Sequence, residues 1–143
     1  EGIGMNGTIS SYTTTKTIDS ETYQSILNDH YLPFYQNEYM LAQDNATCHV
    51  SHSTRSFLED NAVKLLAWAA RSPDCNPIEN LWGMLVSRLY ADNRSYNSCT
   101  ELSEAIINIW DKISDAEVKN LINSVPDRLI GVVAAHGGYN SRF

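Results

Sequence analysis

Two short apolar runs constrain this chain most: Tyr39-Met40-Leu41-Ala42 and Val63-Lys64-Leu65-Leu66-Ala67-Trp68. Both are too short for a good helix, and they read as buried strands. The first stops at Gln43-Asp44-Asn45. The second leads into a loop, residues 71–76, that contains Pro73. Helical patterns surround them. Asp19-Ser20 makes an N-cap, after which Tyr23, Ile26, Leu27, Tyr31 and Phe34 recur at helical spacing until Pro33 ends or kinks the helix. Ser53 to Asn61 predicts a short helix with Phe57 and Leu58 facing in. At the start, the β-branched and aromatic stretch Thr8 to Thr14 predicts a strand.

Downstream of the loop the pattern is helical throughout. Asn76-Pro77 opens a helix with Pro at its favoured first position, and Ile78, Leu81, Trp82, Leu85 and Leu89 form one apolar stripe. A second helix carries Leu102, Ile106, Ile109, Trp110 and Ile113. Ser114-x-x-Glu117 is a capping box for a third, with Val118, Leu121, Ile122 and Val125 facing in. Pro126 starts the last helix, which Gly137-Gly138 closes. The order strand, helix, strand, helix, strand, then helices predicts an α/β fold with a helical cap at its C-terminal end. Three strands are few for a stable open sheet, so others are expected upstream. No repeat or linker divides the 143 residues, which suffice for one domain with a core.

Composition narrows the function. No apolar run approaches the ~20 residues that span a bilayer, and no signal peptide is visible. The first residue is Glu, which reads as a fragment or a processed product. Cys48, Cys75 and Cys99 lie far apart with no C-x-x-C pair. This argues against a disulfide framework or a zinc ribbon and fits a reducing compartment. The net charge is −7, whereas nucleic-acid binders usually carry a basic footprint. A nucleic-acid reading therefore needs an acidic cluster that takes divalent cations, or a basic region outside this chain.

Asp44 stands just past a strand end, where α/β sites gather, though a simple turn explains Asp44-Asn45 equally well. Glu79 sits in the first turn of the Pro77 helix. Asn76-x-x-Glu79 matches a capping box, and the helix dipole favours a carboxylate there; Glu79 also lies off the apolar stripe. His49 and His52 are three apart without a third zinc ligand at a suitable spacing, and read as a polar loop and helix cap. His30 and His136 show no partner in the sequence. Arg71 and Ser72 suit either phosphate contact or an exposed loop. No G-x-S-x-G elbow and no Gly-rich phosphate loop is present.

Three segments together are more specific. Leu41-Ala42-Gln43-Asp44-Asn45-Ala46-Thr47-Cys48-His49 resembles the second-aspartate motif of Tc/mariner superfamily transposases, and Ser72-Pro73-Asp74-Cys75-Asn76-Pro77-Ile78-Glu79-Asn80-Leu81-Trp82 resembles their glutamate motif. Thirty-four residues lie between Asp44 and Glu79, the spacing of the Tc branch, and Val63 to Trp68 with Ala70-Arg71-Ser72-Pro73 fits between them. The resemblance covers nearly the whole chain. It implies a ribonuclease-H-like fold in which three carboxylates hold two Mg²⁺ or Mn²⁺ ions, hard cations matched to hard oxygens. Asp44 and Glu79 would be the second and third of these. Asn45, His49, Asn76 and Asn80 would support them, and Arg71 and Ser72 would contact DNA.

The implied reaction is phosphodiester hydrolysis at transposon ends followed by strand transfer. The implied partners are transposon-end and target DNA and a second copy of the protein, with no membrane and no small-molecule substrate, and the implied location is the nucleus. This chain departs from the pattern. No acid between Glu1 and Glu38 matches the first aspartate, the N-terminal helix-turn-helix region has no counterpart, Ala69 replaces the usual Pro and Cys75 the usual Leu. The expectation is a partial catalytic domain, inactive alone. The alternative is a host-adopted, non-catalytic remnant that binds DNA or protein.

Overall fold

The structure, a computed structural model, describes residues 2–4, 7–10, 12–14, 16–68 and 72–136, the side chains of 8–10 and 74 excepted. It divides into two compact units, Tyr12–Arg71 and Glu1–Ser11 together with Ser72–Phe143.

In the Tyr12–Arg71 unit, α1 spans Ser20–His30. Asp19 caps it as the sequence predicts: Oδ1 accepts the Thr22 N–H at 2.8 Å, and that bond holds the Asp19 carboxyl below its ordinary range. The helix stops at His30, and Pro33 falls in a separate 3₁₀ turn, Leu32–Phe34. Proline disfavours helical backbone just before it, so the chain turns early. The helix expected over residues 53–61 is α3, His52–Asp60, and one further helical turn, α2, Thr47–Val50, precedes it. Ser51 separates the two with ψ 153°, and its hydroxyl caps α3 by accepting the Thr54 N–H at 3.2 Å. Thr54 is fully buried, and its hydroxyl donates to the Cys48 carbonyl at 2.7 Å, which ties α3 to α2. Leu27, Leu58 and Val63 form the core, with Tyr23, Tyr31, Tyr35, Leu41 and Phe57 packed around them.

The two apolar runs do meet, but not as the buried strands expected. They share one parallel bridge, Leu41 with Leu65. Leu41 donates to the Lys64 carbonyl at 2.8 Å and accepts from the Leu66 N–H at 2.9 Å, the slanted pattern of parallel pairing. The ladder goes no further, and Met40 (52%) and Leu65 (41%) remain exposed. A parallel pair is stable when both faces are covered, and among the described residues no other strand lies beside this one.

In the other unit, β1 (Gly2–Gly4) pairs antiparallel with β2 (Gly7–Ser10), Ile3 opposite Thr8. The strand expected at Thr8–Thr14 thus starts one residue early and ends at Ser10, and Tyr12–Thr14 lie outside any strand. Its partner was not anticipated, because Gly-Ile-Gly carries almost no strand preference. Helices α4 (Pro77–Leu89), α5 (Cys99–Trp110), α6 (Asp115–Asn123) and α7 (Val125–Ala134) follow the predicted order. The closing Gly137-Gly138 lies outside the described residues. The core is Leu81, Leu85, Leu89, Trp110, Ile113 and Val118, with Ile3 packed against it. Trp82 departs from its expected place on the buried stripe. One residue on from Leu81 it is rotated about 100° around α4, and it is 44% exposed.

Glu117 locks α6 in place. Its carboxylate accepts from the Ser114 N–H at 2.9 Å and the Ser114 hydroxyl at 2.7 Å, and it also pairs with Arg88 of α4. These bonds, Ser114 first and Arg88 after, hold its carboxyl down to about 2 from the ordinary 4.5. A carboxyl depressed on folding stabilises fully above its unfolded value and loses that contribution as pH falls through its folded one. The melting temperature should therefore drop between about pH 4.5 and 2 in the wild type, and drop less in Glu117→Gln. Parallel pH profiles for the two proteins would contradict this.

Candidate functional site

Gln43-Asp44-Asn45 follows the Leu41 bridge and leads into α2. Asp44 is exposed, its side chain 69% accessible. Its Oδ1 accepts the Ala46 N–H at 3.0 Å, so the turn anticipated from sequence is real. The same Oδ1 lies 2.6 Å from His49 Nδ1. An ionised carboxylate only accepts, which assigns a proton to Nδ1. Oδ2 has no hydrogen-bond partner among the described residues.

His49 is itself held. Its ring lies against Tyr23 of α1, centroids 4.1 Å apart at 37°. The Tyr23 hydroxyl donates to Gln43 Oε1 at 2.7 Å, and Gln43 Nε2 donates to the His49 carbonyl at 3.3 Å. Burial, and then the neighbouring Cys48, Asp44 and Tyr31, push the Tyr23 hydroxyl well up, so it stays a neutral donor. Gln43 and His49 border a cleft of about 400 Å³ that Asp44, Asn45, Arg55 and Trp68 also line, among others. His52, exposed at the start of α3, is not among the residues lining it.

Glu79 stands in the other unit, exposed on the first turn of α4. Asn76 caps that helix as predicted, Oδ1 accepting the Ile78 N–H at 3.2 Å. The Asn76 N–H donates to the Pro73 carbonyl at 3.0 Å, so it is not left for Glu79, and the expected reciprocal capping box does not form. Among the described residues the Glu79 carboxylate has no hydrogen-bond partner. Its neighbour Asn80 accepts through Oδ1 from the buried Arg128 of α7, whose Nε donates to the Ser124 hydroxyl at 2.8 Å. Ser72 is half-buried ahead of the 3₁₀ turn Pro73–Cys75, its carbonyl accepting the Cys75 N–H at 3.2 Å. Arg71 lies outside the described residues.

The sequence-derived residues thus form two groups: Asp44, Asn45 and His49 at one cleft, and Asn76, Glu79 and Asn80 on one helix turn. Tyr23, Gln43 and Arg128 were not singled out as site residues. Gln43 falls inside the quoted aspartate motif, but nothing marks it as a partner of His49, and Tyr23 and Arg128 read as ordinary helix positions.

A family model described as DDE superfamily endonuclease matches residues 2–103, a span that includes both Asp44 and Glu79. The chain belongs to that family. The transposable element Tc3 transposase of Caenorhabditis elegans is 43% identical to this DDE domain over 124 residues, 84% of the chain but 38% of the Tc3 protein. The chain therefore spans well under half the length of that relative. The Mos1 transposase catalytic domain solved with raltegravir and Mn superposes with a TM-score of 0.77 at 22% identity, covering 94% of this chain and 72% of that one. The Mos1 mariner paired end complex with Mn gives 0.80 at 22%, covering 97% and 43%. The domain is of the Tc/mariner transposase type and its fold is ribonuclease-H-like, as the motifs imply. Cys75, at the position where Leu is usual, is buried as a small hydrophobe in that fold.

Proposed function

We propose that Asp44 and Glu79 are the second and third carboxylates of a divalent-metal site that cuts phosphodiester bonds at transposon ends and joins them to target DNA. The observation that carries this reading is the state of the two acids. Each sits in its family motif, exposed, with at least one carboxylate oxygen uncommitted among the described residues. Hard, uncommitted oxygens fit Mg²⁺ or Mn²⁺. When bound, two such ions polarise the phosphodiester and activate the attacking water or 3′-hydroxyl. The protein's part is to hold Asp44 at the cleft and Glu79 at a capped helix start, where the dipole supports negative charge.

Among the described residues no three of His, Cys, Asp and Glu gather to hold an ion unaided. A third carboxylate, the family's first aspartate, completes the site from outside these residues. DNA is the partner in this reading, as in the transposases the chain is similar to. The homodimer and the nuclear location implied by the family belong to the same proposal.

Purified chain titrated with Mn²⁺ should bind weakly, and Asp44→Ala or Glu79→Ala should weaken binding further. Unchanged binding in both variants would reject the assignment. The chain alone should not cut transposon-end DNA in Mn²⁺; robust cutting would show that two carboxylates suffice here.

A further inference from the structure

One connected group of side chains in the Tyr12–Arg71 unit, Tyr23, Gln43, Asp44 and His49, is not needed to fold a turn. A turn at Asp44 requires only the Ala46 N–H bond. Here Oδ1 takes a second, shorter bond from His49 Nδ1, and His49 is gripped on two further sides, by the Tyr23 ring on its face and by Gln43 on its carbonyl. The Tyr23 hydroxyl closes the circuit onto Gln43. The four residues come from α1, the segment after the Leu41 bridge, and α2, so the circuit fixes three elements against one carboxylate.

We infer that Tyr23, Gln43 and His49 form a clamp that occupies Oδ1 of Asp44 and presents Oδ2 alone to the metal, with His49 as the positioning residue. This rests on the reading of Asp44 as a metal carboxylate. Carboxylate ligands are commonly oriented by such outer partners, whose loss costs about 10–100-fold in metal affinity. The alternative role for His49 is packing: its ring would matter and its Nδ1 would not. Two substitutions separate these roles. His49→Phe keeps a ring against Tyr23 and removes the donor. His49→Asn removes the ring and keeps an N–H near the Nδ1 position.

The first readout needs no metal. Three-bond couplings measured by NMR should show Asp44 in a single χ1 rotamer in the wild type and in His49→Asn, and averaged over rotamers in His49→Phe. A single rotamer retained in His49→Phe, or averaging in both variants, would overturn the clamp. Should His49→Phe not fold, the unmodified chain decides. In mildly alkaline buffer its His49 nitrogen shifts should show the proton on Nδ1, and a proton on Nε2 alone would overturn the proposal. The second readout is Mn²⁺ affinity from the EPR signal of the free ion, expected to fall about 10–100-fold in His49→Phe and to stay near the wild-type value in His49→Asn. Ordered Asp44 in a chain that takes up no Mn²⁺ would leave the clamp standing and count against the metal reading instead.

Discussion

Trp110→Ala should destabilise its unit by about 3–5 kcal/mol, whereas Trp82→Ala should cost no more than about 0.5 kcal/mol. The two tryptophans are equivalent in sequence, each on the apolar stripe of an amphipathic helix. In the structure Trp110 is 3% exposed and sits in the core with Leu81, Leu85, Leu89 and Val118, while Trp82 is 44% exposed. Removing Trp110 forfeits its transfer energy and leaves a cavity the neighbouring helices close only in part. Trp82 already has much of its surface in water and leaves no void. Urea unfolding followed by far-UV circular dichroism checks the pair. Similar losses in the two variants would mean that α4 is turned differently from the way described here.

The second large effect concerns Arg128, a guanidinium 4% exposed. Buried charge is tolerated only where its donors are matched, and one match is the Asn80 carbonyl. Asn80→Leu removes that acceptor while the charge stays buried. The expected cost is about 1–3 kcal/mol, near the upper end because the stranded donor is charged. Arg128→Met removes the charge itself, and the double variant Asn80→Leu with Arg128→Met should be more stable than the sum of the single losses predicts. A double-mutant cycle in chemical denaturation measures this. Additivity within about 0.3–0.5 kcal/mol would show that the two side chains do not depend on each other. Asn80 directly follows Glu79, so the same bond steadies the helix turn that carries the proposed ligand.

What could be read from sequence divides by range. The caps at Asp19, Asn76 and Ser114 were legible because each is settled within three residues by short polar side chains and backbone N–H groups. Helices α4 to α6 were legible from apolar periodicity. The motifs around Asp44 and Glu79 located the acids, and the structure adds how each is held. The two apolar runs were read as buried strands, but they share a single bridge and Met40 and Leu65 stay exposed, because burial depends on what covers a strand and not on the strand itself. The Tyr23–Gln43 bond joins residues 20 apart and Asn80–Arg128 joins residues 48 apart. Neither leaves a periodic trace, and an Arg on an amphipathic helix reads as solvent-facing until a fold buries it.

The crowding of Asp44 Oδ1 bears on which ion suits the site. Calcium commonly takes a carboxylate through both oxygens and builds a large, pliable shell of six to eight ligands, whereas magnesium accepts one oxygen per carboxylate in a tight octahedron and keeps several waters. With one oxygen committed to His49 and the Ala46 amide, Asp44 is poorly disposed to chelate through both. On the proposed metal reading the carboxylate would be set for the smaller ion, and an abundant competitor would be disfavoured by the hydrogen bonds of a turn and a histidine rather than by the size of a cage.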